Sequence, residues 1–300
     1  MNIMSFGETV WDVFDSEESL GGAPFNFAAL VSMLGESSCL VSAVGNDELG
    51  KKTVEVVKDF GVRTEYISLI PDKKTGKCLV TLDNNALPSY KLLDDVAFDF
   101  IQMPEIKEKV DVFSFGTLSL RSKHNKNVLS EILKLHSFAE IFCDVNIRPP
   151  CYSKESILFC LSNATIVKIS EEEMNEIKNA VLGQSCCTEN FVLEISERFT
   201  QLKLIILTKG ADGALCYDCR EKKFYYCEAY PTEVVSTVGA GDSFSASFLV
   251  SYLKNVDCQK CLEFASNISA YVCSKKEAVP KGIAELIKDD IVSYKNSNTQ

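Results

Sequence analysis

Short apolar runs recur along the chain, separated by stretches whose apolar residues fall at helical spacing. Residues 2–6 alternate into Gly7-Glu8-Thr9-Val10-Trp11-Asp12, which reads as a first strand whose end presents the Asp12 carboxylate. Further strand signals lie at 39–45, 110–116, 141–146, 164–169 and 204–210. Between them, Phe27, Leu30, Val31 and Leu34 share a helical face that stops at Gly35, and a helix beginning near Leu49 runs to Phe60. Helices are also expected over 243–253, 258–274 and from about 281. Strand, helix, strand is the grammar of a parallel sheet. From 75 to 98 the pattern changes to two strands, 78–82 and 89–93, around the turn Asp83-Asn84-Asn85. A hairpin inserted into an α/β chain suits a lid that excludes water from a reacting group, or else an edge extension of the main sheet.

Candidate chemistry gathers at two glycine-rich turns. Gly21-Gly22-Ala23-Pro24-Phe25-Asn26 opens the first long helix. A Gly-Gly turn lets backbone approach a ligand, and Asn26 can donate to and accept from a polyol hydroxyl; alternatively it is an Asn at a helix start with no ligand. In Ser236-Thr237-Val238-Gly239-Ala240-Gly241-Asp242-Ser243-Phe244 a tight turn feeds a helix N-terminus, whose unpaired N–H groups and dipole form an anion site. A phosphoryl group fits there with the Asp242 carboxylate in reach of an attacking hydroxyl, the pairing that phosphoryl transfer needs. The plainer alternative is a turn whose Asp only caps the helix. Because ligands of open parallel sheets gather at the carboxyl ends of strands, Asp12, Gly116, Asn146, Arg148 and Lys168 are expected to face one crevice. Ser170-Glu171-Glu172-Glu173 opens a helix with charge suited to its dipole, or offers a carboxylate to a Mg²⁺–water shell.

Composition narrows the function classes. With 300 residues, 46% of them hydrophobic, and no Pro/Gly/Ser linker, a single domain over 1–300 is expected. A net charge of −11 with no Lys/Arg-rich block argues against nucleic acid. No apolar run approaches the roughly 20 residues of a membrane span, and the first residues lack a basic segment followed by a cleavage site, so no membrane partner and a cytoplasmic location are expected. The 13 cysteines scatter through apolar segments, among them Cys39, Cys78, Cys143, Cys160 and Cys273, as suits buried thiols in a reducing compartment. Cys216-x-x-Cys219 and Cys258-x-x-Cys261 superficially form a zinc set, but the gap between the pairs exceeds the usual ribbon spacing. His124 and His136 add no metal-ligand spacing.

With both turns in view, the chain resembles the PfkB/ribokinase family of sugar and nucleoside kinases over nearly its whole length, most closely the bacterial fructokinase-like branch. Gly21 to Ala28, continuing through Gly35 to Gly45, is similar to the family's N-terminal signature, and Gly239-Ala240-Gly241-Asp242 to its C-terminal one. Asp144-Val145-Asn146-Ile147-Arg148 is similar to the Asp-x-Asn-x-Arg segment of the fructokinase and ketodeoxygluconate kinase branches, and Lys168 to Glu173 sits where the family keeps Asn-x-x-Glu. The resemblance implies a three-layer α/β/α sandwich with a mostly parallel central sheet and a small β-sheet lid, built from segments about 10–22 and 75–98. It implies ATP-dependent, Mg²⁺-requiring transfer of the γ-phosphate to a primary hydroxyl of a small sugar. Fructose is the leading substrate, with 2-keto-3-deoxygluconate, a nucleoside, or a non-catalytic sugar or nucleotide sensor as alternatives.

The roles implied are these. Asp242 would be the base, and the N–H groups of Gly239, Ala240 and Gly241 the anion hole. Asp12, Gly22 and Asn26 would hold sugar hydroxyls, with Tyr90 on the lid and Asn146 or Arg148 near the sugar or the transferring phosphate. Lys168, Thr208, Gly210 and Gly213 would line the nucleotide side with Asn267 near the adenine, and Glu173 would act on Mg²⁺ through water. Ser236 stands where the family usually places an Asp in its monovalent-cation loop, which leaves K⁺ activation open. Ser170 replaces the usual Asn, and Ser247 a Gly or Ala. A homodimer through the exposed lid strands is a further expectation.

Overall fold

The computed structural model describes residues 1–13, 18–82, 88–182 and 187–283. The chain starts in a large sheet with β1 (Asn2–Phe6), and then departs from it. The sequence pattern suggests one strand from 2 to 12. Instead the backbone breaks at Gly7, and β2 (Val10–Val13) and β3 (Glu18–Gly21) join β6 (Lys77–Leu82) and β7 (Pro88–Leu92) in a separate four-stranded sheet ordered β3-β2-β6-β7. A Cβ on Gly7 would lie 2.6 Å from Cγ of Pro24, so the turn packs directly on the start of the first helix. Asp12 therefore belongs to the small sheet and not to the end of β1. The hairpin expected at 78–93 is present, it lies outside the main sheet, and its turn at 83–87 is outside the described residues.

Among the described residues the main sheet has nine strands. After β1 come β4 (Ser37–Gly45), β5 (Ile67–Ile70), β8 (Val112–Phe115), β9 (Glu140–Asp144), β10 (Ile166–Ser170), β11 (Leu204–Thr208), β12 (Ala214–Asp218) and β13 (Lys223–Cys227), in the order β13-β12-β11-β10-β9-β8-β1-β4-β5. From β5 to β11 all pairs are parallel; β12 and β13 add on antiparallel. The parallel strands are apolar on both faces because helices cover both. Alternation divides their side chains between two cores. Ile3, Leu40, Phe142, Ile166 and Leu204 face α1 (Ala23–Met33), α2 (Glu48–Asp59), α7 (Ala240–Leu253) and α8 (Cys258–Cys273). Met4, Val41, Cys143, Val167 and Ile205 face α3 (Lys123–Leu135), α4 (Lys154–Asn163), the short α5 (Met174–Ile177) and α6 (Thr188–Arg198). The helix expected from about 281 falls outside the described residues beyond Ile283.

This packing holds the helix starts in place. Phe27 of α1 stacks on Phe142 of β9 with ring centroids 5.6 Å apart, and Phe248 of α7 is fully buried. Each such ring contributes roughly 1.5–3 kcal/mol. Asp47 caps α2 by accepting the Gly50 N–H at 2.8 Å, and it also accepts from the backbone and hydroxyl of Thr75 at 3.0 and 2.6 Å. The root of the small sheet is thus tied to the main body by a carboxylate that serves both. The result is a ribokinase-like α/β fold in which α1 and α7 run side by side and bring both glycine-rich turns to the carboxyl edge of the sheet.

Candidate active site

The α7 N-terminus is shaped by Gly239, whose φ of 81° is left-handed and where a Cβ would fall 2.4 Å from the Ala278 carbonyl oxygen. Ser243 N–H closes the first helical bond to Gly239 O at 2.8 Å, and Ala240 N–H donates to Thr237 O at 3.2 Å. The N–H groups of Gly241 and Asp242 find no backbone acceptor among the described residues. Of the three anion-hole donors expected from the sequence, Ala240 is therefore engaged in its own turn, whereas Gly239 N–H, like that of Gly241, has no backbone acceptor among the described residues, and Asp242 adds a further free donor.

Asp242 is the centre of a charged network. Its Oδ2 accepts from Nδ2 of Asn26 at 2.7 Å, which joins the starts of α1 and α7. The other amide atom, Asn26 Oδ1, is buried without a partner among the described residues, so it is available to a ligand hydroxyl. Burial pushes the Asp242 carboxyl up to about 6; the Asp144 carboxylate adds to this, while Asn26, Lys168 and Arg148 oppose it. Lys168 is buried, and its ammonium donates to both carboxylate oxygens of Asp144 at 3.0 Å. A Cβ on Gly241 would stand 3.0 Å from that nitrogen, which places the ammonium against the first turn of α7. Burial alone lowers the affinity of Lys168 for its proton. The carboxylates of Asp144, Glu173 and Asp242 more than offset this, so it titrates above its usual range and stays charged.

Of the residues expected on the sugar side, Asn146 lines a cavity together with Asp242. Ser5, Glu8, Gly116, Asp144, Asn146 and Asp242 line one cavity. Asn146, two residues beyond the end of β9, takes a left-handed φ of 45°. Gly22, with φ 108°, lies where a Cβ would be 2.6 Å from the Glu8 carbonyl oxygen, so the turn before α1 is closed against the segment after β1. Asp12 reaches the site from the small sheet, paired in register with Cys78. Burial raises its carboxyl above the usual range, against the opposing effects of Arg148 and the Cys78 thiol. Arg148 is exposed at its surface side, yet its charge acts on Glu8, Asp12 and Asp242 together. Tyr90 lies on β7, and its side chain is outside the described residues.

Glu173 and the residues expected on the nucleotide side do not line that cavity. Glu173 accepts the Ile147 N–H at 2.5 Å and the Ser170 N–H at 2.7 Å, bracing the ends of β9 and β10 against each other, and burial raises its carboxyl. Thr208 ends β11 opposite Ser170. Gly210 is exposed in the turn that follows, whereas Gly213 is buried where a Cβ would meet the Cys227 carbonyl at 2.0 Å; its lack of a side chain is accounted for by packing. Asn267 is half-buried on α8, and Ser269 of the same helix donates to Ala240 O at 3.0 Å. Among the described residues no group of three or more His, Cys, Asp or Glu side chains is arranged to hold a metal ion, and no helix is long and apolar enough to cross a membrane.

Glu8 and Ser245 were not singled out from the sequence, and Asp144 entered only as the first residue of the Asp-x-Asn-x-Arg segment, with no role of its own. Glu8 is almost fully buried beside Asp242, and burial pushes its carboxyl up to about 7. Asp144 holds Lys168, and Ser245 of α7 donates to Asp144 Oδ2 at 2.9 Å. A carboxylate just after a strand's apolar run is the available signal for Glu8. For Asp144 it is the charge complement of Lys168 one parallel strand away, in register.

Residues 2–283 match the family described as pfkB family carbohydrate kinase. A sugar kinase of Pyrococcus horikoshii is 30% identical over 98% of this chain and 96% of its own length. The crystal structure of an uncharacterized sugar kinase from that organism in complex with ATP superposes with a TM-score of 0.78 at 29% identity, covering 92% of this chain and 93% of the other. Probable fructokinase-5 of Arabidopsis thaliana is 26% identical over 93% of each chain. A fructokinase with bound ATP from Xylella fastidiosa shares the fold, with a TM-score of 0.82 at 20% identity over 97% and 99% of the two chains. With a family match that spans almost the whole chain, a two-sheet α/β fold shared with ATP-binding relatives and both signature turns at one sheet edge, this chain belongs to the pfkB family of carbohydrate kinases and is an ATP-dependent sugar kinase.

Proposed function

We propose that the chain phosphorylates a primary hydroxyl of a small neutral sugar, with fructose preferred, and that Asp242 is the general base. The observation that carries this is a single carboxylate held at the start of α7 with its affinity for a proton raised to about 6, beside unpaired helix N–H groups and a buried ammonium. A base of that strength is ionised at neutral pH yet accepts a proton readily. In the step proposed, the sugar hydroxyl oxygen forms the new P–O bond and its proton passes to Asp242, while the oxygen bridging to the β-phosphate leaves with the electron pair on ADP. Charge on the phosphoryl oxygens meets the N–H groups of Gly241 and Asp242 and the Lys168 ammonium.

Fructose is favoured over a sugar acid because the Arg148 charge already acts on the carboxyls of Glu8, Asp12 and Asp242. A substrate carboxylate would add to an existing excess of negative charge. Relatives named fructokinase support the same choice. Mg²⁺ would enter with the nucleotide and neutralise charge between the β- and γ-phosphates. Glu173 suits its water shell and not direct ligation, since each of its oxygens already accepts one backbone N–H and keeps a lone pair. The exposed Val234, Val235 and Val238, on the loop before α7, offer apolar surface for the base beside α8. The enzyme is taken to work in the cytoplasm, and to dimerise through the edges of the small sheet at β3 and β7.

ADP release is to be followed with MgATP against fructose, ribose, tagatose, 2-keto-3-deoxygluconate, adenosine and inosine, with and without K⁺. A clear preference for fructose is expected. Preference for the sugar acid would overturn the argument from Arg148, and ATP binding without turnover on any substrate would favour a sensor. The K⁺ comparison shows whether Ser236 has removed cation dependence. Asn26→Ala is expected to raise the sugar KM by roughly 10-fold, the scale of one hydrogen bond to a polar ligand, with a smaller effect on the ATP KM. The reverse order would put Asn26 on the nucleotide side.

A further inference from the structure

The Lys168 ammonium occupies an electrostatically awkward place. A cation packed at a helix N-terminus opposes the helix dipole, and Lys168 does so while almost fully buried. What keeps it there is Asp144. This carboxylate ends β9 one strand away, in register with Lys168, and grips the ammonium with both oxygens at 3.0 Å. It also accepts the hydroxyl of Ser245 at 2.9 Å, and Ser245 lies one turn beyond Asp242 on α7. A single side chain thus connects the sheet edge, the buried cation and the helix that presents Asp242.

We propose that Asp144 is a positioning residue for phosphoryl transfer: it fixes the Lys168 ammonium against the Gly241–Asp242 amides and, through Ser245, fixes the α7 turn that aims the Asp242 carboxylate. This rests on the assignment of Asp242 as base. The groups facing Asp242 are Glu8 from the segment after β1, Asn26 from α1, Asp144 from β9, Arg148 from the loop that follows and Lys168 from β10, with Glu173 facing Lys168 in turn. Within that set, Asp144 raises the proton affinity of Asp242 by like charge, Lys168 and Arg148 lower it, and Asp242 in turn raises that of Glu8. Asp144 therefore has a second, electrical effect that a merely structural brace would lack.

Two substitutions separate the effects, each read by kcat, both KM values, thermal melting and the pH profile of kcat/KM for the sugar. Asp144→Asn keeps an acceptor for Ser245 and removes the charge. It is expected to lower kcat by roughly 10-fold or more, below the full loss of an electrostatic donor, and to move the acid limb toward lower pH by about half a unit or more. Asp144→Glu keeps the charge but displaces the carboxylate, and is expected to lower kcat with the acid limb unmoved. A lower melting temperature with kcat and the acid limb both unchanged in either variant would overturn the proposal. Should Asp144→Asn fail to fold, Asp144→Glu with unchanged kcat would overturn it alone. Failure of the base assignment gives a different result: the acid limb then persists when Asp242 itself is replaced.

Discussion

Asp242→Asn is expected to lower turnover by at least ~10²-fold, the smaller scale for losing a general base, while the protein becomes more stable at neutral pH. The two effects share one cause. Asparagine keeps an oxygen for the Asn26 amide but cannot take up the proton of a hydroxyl. In the wild type, kcat/KM should fall as pH drops through about 6, because the base must be ionised and burial has raised its carboxyl to that value. The variant should lack this limb. For stability the sign runs the other way: a carboxyl whose affinity for a proton is raised by folding stabilises the folded form at low pH and loses that contribution as pH climbs through about 6. At pH 7–8 the wild type therefore carries a cost of up to about 3 kcal/mol, since each tenfold gain in proton affinity on folding is worth about 1.4 kcal/mol. The variant is spared this cost. Melting curves at pH 8 and pH 4 check it: Asp242→Asn should melt higher at pH 8, and the gap should close at pH 4. An inactive variant that melts lower at both would mean that Asp242 mainly supports the helix start.

Lys168→Met should damage both fold and catalysis. Methionine fills much of the same space, but it leaves the Asp144 carboxylate partly buried with the hydroxyl of Ser245 as its remaining side-chain donor. Breaking one side of a buried ion pair costs about 3–5 kcal/mol, because the surviving charge is stranded away from water. Turnover should drop by ~10²-fold or more relative to wild type, as expected for removing a charged donor from the phosphoryl site. A double-mutant cycle separates the two losses. Adding Asp144→Asn to Lys168→Met should recover most of the stability in urea denaturation, since neither charge is then stranded, with no recovery of turnover. Recovery of both together would show Lys168 to be structural only.

Much of this site was legible in the chain because local physics controls its parts. The helix expected from near Leu49 to Phe60 is found at Glu48–Asp59, and the one expected at 258–274 at Cys258–Cys273. Glycine, with its access to left-handed φ, marked both turns, and Asp242 and Asn26 follow those turns at fixed offsets along their helices. The strand expected at 2–12 shows the limit. Apolar residues resume at Val10 and Trp11 after Gly7-Glu8-Thr9, so the segment reads on as one strand, but the chain turns at Gly7, packed against Pro24, into a second sheet and takes Asp12 with it.

Periodicity and turn chemistry along the sequence determined which residues begin helices, which strands are buried on both faces, and that one carboxylate follows a glycine turn at a helix start. Only the tertiary structure decided the electrostatics, because pairing of parallel strands and packing of α1 on α7 set distances between residues far apart in sequence. Asn26 and Asp242 meet although 216 positions separate them. Asp144 and Lys168 meet because β9 and β10 are neighbours in register. The proton affinity of Asp242 depends on burial and on charges contributed by several separate segments, and those influences exist only once the segments have been brought together.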